Sequence, residues 1–337
     1  MIISNNSNTK IKISIIGSGP SALILAAELD ENIFDIHIYE KGNAAGRKFL
    51  VAGHGGFNLT HSESPETFIH KYNPVEFIKP FFIKFNNIDT RKWFENLGIK
   101  TFVGSSKRVY PEKGIKPNQV LNAIMLKLKQ KKVKFHFNHK WTDFDKNYNP
   151  VFIHKNTITT VNSNIVVFAL GGGSWKITGS DGQWINIFRK YNIETIDFQP
   201  SNCAVKIDWN KHFLADYEGK PVKNIAIYND NKYIKGEFVI TKSGMEGAAI
   251  YAHSSALGKQ LTFKKSAYIF IDLMPYKKNI DILNKIITSK SSKSKTTILK
   301  NILNLDRIKI SLLKQFTSKA EFHNDILLVK KIKKLPI

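Results

Sequence analysis

Residues 17–22 read Gly17-Ser18-Gly19-Pro20-Ser21-Ala22, and Glu40 follows at the end of the next apolar run. The isoleucine-rich residues 11–16 before this turn predict a strand buried on both faces of a parallel sheet. Residues 20–29 predict a helix that begins at a proline suited to its first turn. Residues 36–39 predict a second strand. This order of strand, glycine-rich turn, helix and strand is that of one βαβ unit.

The turn has the residue types that a dinucleotide pyrophosphate requires. Gly17 permits a sharp turn, Gly19 lets the backbone approach the phosphates, and a small residue at Ala22 allows helix and strand to pack closely. The free N–H groups and the positive dipole end of the helix stabilise negative charge. Glu40 is spaced to accept hydrogen bonds from ribose hydroxyls. We therefore predict a dinucleotide site that contains Gly17, Ser18, Gly19, Pro20, Ser21, Ala22, Glu40 and Lys41.

The residues after Glu40 favour FAD over NAD. Gly46 and Arg47 follow Glu40 by six and seven residues, and a guanidinium there can bind a pyrophosphate with two parallel hydrogen bonds. Lys48, beside it, carries an ammonium group without the planar, forked geometry of a guanidinium, so we predict a smaller role for it in pyrophosphate binding. The alternative interpretation is an exposed arginine next to a flexible, glycine-rich loop.

Later segments predict where the chain returns to the first sheet and where a second domain begins. Residues 165–170 form a continuous apolar run that ends in glycines, so Ala169, Gly171 and Gly172 join the predicted site. Residues 133–137 and 151–153 resemble edge strands of a meander. Short alternating segments follow residue 200, and then a Lys/Ser-rich helical stretch, 280–312. We predict an α/β FAD-binding Rossmann-like domain at 9–199 and a β-rich, helical domain at 200–330.

The composition of the chain indicates its cellular compartment and its possible binding partners. The single cysteine, Cys203, excludes an intramolecular disulfide, and no signal sequence or membrane-length apolar run is evident, so we expect a cytoplasmic protein without a membrane partner or a metal site. The net charge of +24 has two interpretations. One is the codon bias of an AT-rich genome, and the other is a polyanionic partner such as RNA.

Several longer motifs resemble one bacterial family. They are residues 46–62 (GRKFLVAGHGGFNLTHS), 169–175 (ALGGGSW), 178–182 (TGSDG), 201–204 (SNCA), 236–241 (GEFVIT) and 244–251 (GMEGAAIY). Together they resemble the YhiN/BaiN-like (aminoacetone-oxidase-like) NAD(P)/FAD-dependent oxidoreductases. The resemblance spans most of the chain and adds Gly53, Gly55, Asn58, Leu59 and Thr60 to the predicted cofactor contacts.

The resemblance implies a two-dinucleotide-type FAD domain with an inserted barrel-like and helical domain. It also implies a later, Gly-rich return to the FAD domain that contacts the flavin. We expect this chain, which ends at Ile337, to lack that return.

Three functions remain open at this point. The first is an FAD-dependent oxidoreductase acting on a small molecule, with NAD(P)H as a candidate electron donor. The second is a flavin-dependent reductase that acts on RNA, for instance on uridine in rRNA, which the charge would suit. The third is a non-catalytic, truncated remnant. No catalytic residue is assigned from the sequence.

Overall fold

The computed structural model describes residues 9–51, 57–174, 176–229, 232–264, 266–289 and 294–337. The chain separates into two compact units that divide between Phe198 and Gln199. The interpretation of the second unit as an insertion into the first stays a prediction.

The described elements of the first unit are, in chain order, β1 (Ile11–Ile16), α1 (Pro20–Glu28), β2 (Phe34–Tyr39), α2 (Arg47–Val51), β3 (Thr60–His61), α3 (Pro65–Phe68), α4 (Val75–Phe82), α5 (Asn87–Asn96), β4 (Thr101–Val103), β5 (Arg108–Pro111), α6 (Pro117–Gln130), β6 (Lys134–His136), β7 (Lys140–Phe144), β8 (Pro150–His154), β9 (Thr157–Thr160), β10 (Ile165–Phe168) and α7 (Trp184–Lys190). Short 3-10 helices lie at Ile69–Lys71 and Lys176–Thr178.

A parallel sheet forms the centre of this unit, with the described strands in the order β10-β1-β2-β6. Ile15 and Ile38 are fully buried, as expected for strands covered on both faces. One face packs against α1 and α6 through residues such as Leu23 and Leu128. The other face packs against the β7-β8-β9 sheet and α7, and Phe152 is fully buried there. These two layers confirm the predicted Rossmann-like fold.

A small antiparallel sheet in the same unit has the order β3-β5-β4. Thr60 pairs with Val109 and His61 pairs with Arg108 in its register. The amide of Asn87, at the start of α5, donates to the carbonyls of His61 and Glu63. These bonds tie the helix to the sheet.

The second unit contains β11 (Val205–Lys206), α8 (Lys211–Tyr217), β12 (Pro221–Asn229), β13 (Lys232–Thr241), β14 (Gly244–Glu246), α9 (Ala248–Tyr251), α10 (Ser254–Phe263), β15 (Phe270–Asp272), α11 (Asn279–Thr288), α12 (Lys295–Asn301), α13 (Arg307–Gln315), α14 (Lys319–His323), α15 (Asp325–Lys333) and β16 (Leu335–Pro336). Its strands form an antiparallel sheet in the order β11-β14-β13-β12-β15-β16. Phe238, Ile240, Leu328 and Ile332 belong to one core that joins sheet and helices. The β-rich and helical character predicted for this domain is confirmed.

Three local expectations need correction. The segment 133–137 was expected at the edge of a meander, but β6 pairs in parallel with β2, because the preceding helix α6 returns the chain to the main sheet. The apolar run 165–170 predicts a buried strand, but β10 is only half-buried, with Ile165 40% exposed, because it lies at the edge of the described sheet. The stretch 280–312 is divided into α11, α12 and α13, and the Ser294 hydroxyl caps α12 by accepting from the Thr297 amide.

Among the described residues, no helix combines the length and apolar character needed to cross a membrane.

Candidate dinucleotide-binding site

A cavity of about 770 Å³ opens at the carboxyl ends of β1, β2 and β10 in the first unit. The strand β1 lies between the other two, so the chain leaves it towards β2 on one side while β10 covers the other. Open α/β sheets bind ligands at such a point, where the strand order changes direction. The position of the cavity therefore agrees with the predicted βαβ site.

Gly17 is required by the protein's own backbone. Its φ is +102°, and a Cβ on it would lie 2.4 Å from the carbonyl oxygen of Ala169. Its amide donates to the carbonyl of Tyr39 at 2.8 Å. The residue thus joins the ends of all three strands, where no side chain would fit.

Gly19 differs, because no described residue requires a glycine at this position. Its φ is −74°, which any residue adopts, and no atom of the described residues lies within 4 Å of a Cβ built on it. The space in front of it is part of the cavity. The described fold would tolerate a side chain at this position. A glycine that leaves open space at a helix N-terminus therefore fits the close approach of a phosphate.

The helix α1 presents unpaired donors to the same space. No side chain caps its N-terminus, and its first residue, Pro20, has no N–H group. The amides of Ser21 and Ala22 precede the first intrahelical donor, which is the Leu23 amide bonded to the carbonyl of Gly19. Ala22 is fully buried and packs behind the turn. An anion can accept hydrogen bonds here without displacing any protein contact.

The carboxylate of Glu40 is held under the turn by three hydrogen bonds. Its Oε2 accepts from the amide of Ser18 at 3.0 Å and from the Ser18 hydroxyl at 2.6 Å, and its Oε1 accepts from the Gly42 amide at 2.7 Å. These bonds fix both oxygens while leaving lone pairs free. Ser18, which the sequence predicts only as part of the turn, therefore positions the acid.

Arg47 lies at the start of α2 and lines the cavity. It is exposed, and its guanidinium has no hydrogen bond or ion pair with any residue that the structure describes. The amide of Gly46 donates to the carbonyl of Ser18, which joins this loop to the glycine turn. Lys48 is different, since its ammonium donates to the carbonyl and the hydroxyl of Ser174.

The other wall of the cavity carries an ion pair. The Lys41 ammonium lies 3.0 Å from Oδ2 of Asp181, which joins the end of β2 to the segment 176–182. Burial raises the pKa of Asp181, but the bonds from Lys41 and from the Gln183 amide outweigh it, so this pKa lies below its ordinary value. The carbonyl of Gly171 accepts from the indole of Trp184 at 3.0 Å. This wall of the cavity thus combines an ion pair with an aromatic side chain.

Most of the predicted residues meet in this one cavity. Those that line it are Gly17, Ser18, Gly19, Pro20, Ser21, Glu40, Lys41, Gly46, Arg47, Lys48, Ala169, Gly171 and Gly172. Ala22 lies behind the lining. Asn58, Leu59 and Thr60 line a separate pocket beside β3. Gly53 and Gly55 lie outside the described residues.

Sequence reasoning missed one end of the cavity. This end is lined by Tyr39 and by the segment 139–142 that enters β7. Tyr39 is buried, which raises its pKa, and its ring stacks on His136 at 4.4 Å between centroids. Residues 139–142 follow β6, so a correct placement of that strand next to β2 would have identified them.

Comparisons with known proteins identify relatives of this chain in sequence and in structure. The 3-dehydro-bile acid delta(4,6)-reductase of Clostridium scindens is 25% identical over 270 residues, which are 78% of this chain and 64% of that protein. The chain thus spans less than two thirds of that relative's length.

Two solved structures are more distant in sequence. The 3-ketosteroid-delta4-(5alpha)-dehydrogenase of Rhodococcus jostii RHA1 is 13% identical with a TM-score of 0.37, covering 50% of this chain and 48% of its own. THI4 of Thermovibrio ammonificans is 12% identical with a TM-score of 0.37, covering 55% and 64%.

A family model gives the broader match. The model of the HI0933-like protein Rossmann domain matches residues 11–288, which include the glycine turn, the cavity and most of the second unit. This match confirms the resemblance drawn from the motifs of the sequence. The chain belongs to the HI0933-like Rossmann domain family.

Proposed function

We propose that this chain is an FAD-dependent oxidoreductase that acts on a small molecule, with NAD(P)H as its electron donor. The observation that carries the proposal is the continuous lining of one cavity by Glu40, the Gly17–Gly19 turn and Arg47. Glu40 matches a ribose, and the glycine turn and Arg47 match the pyrophosphate of a dinucleotide. The relative from Clostridium scindens is named as a reductase, which supports the same reaction class.

The residues present fit the cofactor. Glu40 would hold the adenosine ribose, and the free amides of α1 would hold the phosphates. Arg47, which has no partner among the described residues, would bind the pyrophosphate through two parallel N–H groups. FAD supplies hydride transfer when it is bound. The chain's part is to bind and orient it and to neutralise its phosphate charge.

Reduction of RNA is a second candidate, favoured by the charge of the chain. Lys and Arg total 51 against 27 Asp and Glu. A phosphate backbone would release counterions from such a surface, so binding would weaken steeply with salt. We would test this with a labelled rRNA fragment at low and at physiological salt, and a salt-insensitive or absent association would exclude it.

The first experiment measures flavin retention. The purified chain is incubated with excess FAD and desalted, and its visible spectrum is recorded before and after anaerobic addition of NADPH or NADH. We expect flavin bands near about 370 and 450 nm at about one FAD per chain, and bleaching of the longer-wavelength band by one of the two donors. A chain that stays colourless would overturn the enzyme proposal and leave the non-catalytic alternative.

A variant pair shows whether the cavity is the site of the retained flavin. Arg47→Gln removes the free guanidinium, and we expect it to weaken FAD binding about tenfold, which is about 1.4 kcal/mol. Lys113→Gln removes one positive charge from an exposed residue outside the cavity and is the matched control. Equal FAD affinity in the two variants would place the flavin elsewhere.

A further inference from the structure

A second pocket, of about 470 Å³, lies in the first unit beside the β3-β5-β4 sheet. None of its lining residues lines the dinucleotide cavity. It is bounded by β3, by the segment around α3 and α4, and by the start of α5. Asn58, Leu59 and Thr60, which the family resemblance predicts as cofactor contacts, line this pocket and not the dinucleotide cavity, whereas its other lining residues have no place in the proposed binding of FAD.

One wall of the pocket is aromatic. Phe68 stacks on Phe82 with ring centroids 6.0 Å apart, and Tyr72 lies 6.0 Å from the same Phe82 ring. Phe85 also lines the pocket and remains 45% exposed. A wall of parallel and tilted rings favours a flat, apolar partner, because rings stack best on other planar groups.

Among the described residues that line this pocket, Arg108 is an unpaired cation. Arg108 lies directly opposite His61 in the register of β3 and β5, so the two side chains share one face of the sheet. The Arg108 side chain has no hydrogen bond or ion pair with the part of the chain that the structure describes. A planar guanidinium with free N–H groups is suited to a carboxylate.

The neighbouring charges do not neutralise Arg108. Lys71 is paired with Glu63 at 2.7 Å. Burial and the nearby Lys71 lower the pKa of His61, so its imidazole is neutral at pH 7. The pocket therefore keeps one net positive charge, that of Arg108.

Asn87, which also lines the pocket, carries an unsatisfied acceptor. Asn87 is 2% exposed, and its amide nitrogen donates to two carbonyl groups, which fixes the orientation of the side chain. Its Oδ1 is buried and has no hydrogen-bond partner among the described residues. A buried acceptor without a partner is costly, and a ligand donor would remove this cost.

We propose that this pocket binds a planar, apolar carboxylic acid that also carries an N–H or O–H donor. The carboxylate binds Arg108, the flat body lies against Phe68, Tyr72 and Phe82, and the donor reaches the buried oxygen of Asn87. This inference is independent of the proposed flavin chemistry, since none of the five side chains that it uses is a predicted cofactor contact and it concerns a binding reaction alone.

The test is isothermal titration of the full chain with three probes of similar shape. Indole-3-acetate has the acid and the N–H donor, indole-3-acetamide lacks the charge, and 1-naphthylacetate lacks the donor. We expect indole-3-acetate to bind at least about tenfold more tightly than the amide and roughly threefold to tenfold more tightly than the naphthyl acid. Binding of FAD is measured on the same samples and should not change.

The variants assign the effect to Arg108. Arg108→Gln is expected to reduce binding of indole-3-acetate to that of the amide, and Arg108→Lys to an intermediate value, because lysine keeps the charge without the forked geometry. Lys113→Gln, just beyond the same strand, is the control for charge and should bind like the unchanged protein. Absence of binding below about 1 mM, or equal affinity for acid and amide, would overturn the proposal.

Discussion

At the scale of single residues, we expect the two glycines of the turn to separate a structural role from a binding role. Gly17→Ala would place a methyl group against the carbonyl of Ala169 at a φ of +102°. We expect this variant to lower the free energy of unfolding by roughly 1–3 kcal/mol. Gly19→Ala meets no atom within 4 Å, so it should unfold like the unchanged chain but bind FAD at least about tenfold more weakly.

Thermal unfolding without FAD and FAD titration of both variants check this pair of expectations. Gly258→Ala is a useful control, because that glycine also has open space around its Cβ but lies in α10 of the second unit. Normal FAD affinity in Gly19→Ala would contradict the role given to the turn.

Glu40 offers a second residue-scale test. Both of its oxygens accept from backbone amides, those of Ser18 and Gly42. In Glu40→Gln one of these amides would face the side-chain NH₂ group, and the charge that accepts from ribose hydroxyls would be lost. We expect FAD affinity to fall by about tenfold, or about 1.4 kcal/mol. Fluorescence titration measures this change, with exposed Glu76→Gln as the control.

At the scale of elements, the edge strand β6 is held to β2 by stacked rings as well as by its ladder. His37 lies between Asp35, at 3.0 Å, and the ring of His136, at 2.9 Å. Burial, and then the neighbouring His37, lower the pKa of His136 from 6.5 to about 4. This ring is therefore neutral in the folded protein at pH values where the unfolded chain has already bound a proton.

This difference makes the folded state sensitive to acid. The contribution of His136 to the free energy of unfolding is fully present above pH 6.5 and is lost as the pH falls towards 4. In this range the free energy of unfolding falls with a limiting slope of about 1.4 kcal/mol per pH unit. Urea unfolding across this range should show a smaller decline for His136→Gln than for the unchanged chain. His70→Gln, at an exposed histidine, should follow the unchanged chain, and parallel curves for all three proteins would refute the assignment.

At the scale of the whole molecule, the two units have separate cores. The cluster around Phe238 and Leu328 contains only residues of the second unit, and those around Leu23 and Phe152 contain only residues of the first. The dinucleotide cavity is lined entirely from the first unit. We therefore expect residues 9–198, expressed alone, to fold and to bind FAD within about threefold of the full chain. Circular dichroism and FAD titration check this, and an unfolded fragment would show that the units depend on each other.

Sequence patterns were sufficient for the first unit where the signal is local. The glycine turn, the buried strands β1 and β2 and the helix α1 are encoded by residues close together in the chain, and periodicity and turn chemistry locate them. The pairing of β6 with β2 joins residues about a hundred positions apart, such as His37 and Lys134. The pattern of residues 133–137 fits an edge strand of the parallel sheet or of the β7-β8-β9 sheet, so it could not predict the partner strand.

What the sequence alone determined is the family, the Rossmann-like fold and the turn between Gly17 and Ala22 with its acid at Glu40. These follow from local rules, because a sharp turn, a helix N-terminus and a strand end each require particular residues at fixed spacing. Only the tertiary structure decided that Ser18 holds Glu40, that Lys41 meets Asp181, and that Arg108 faces an aromatic wall. Those contacts join segments whose meeting depends on how sheets and helices pack, and packing is a property of the whole chain.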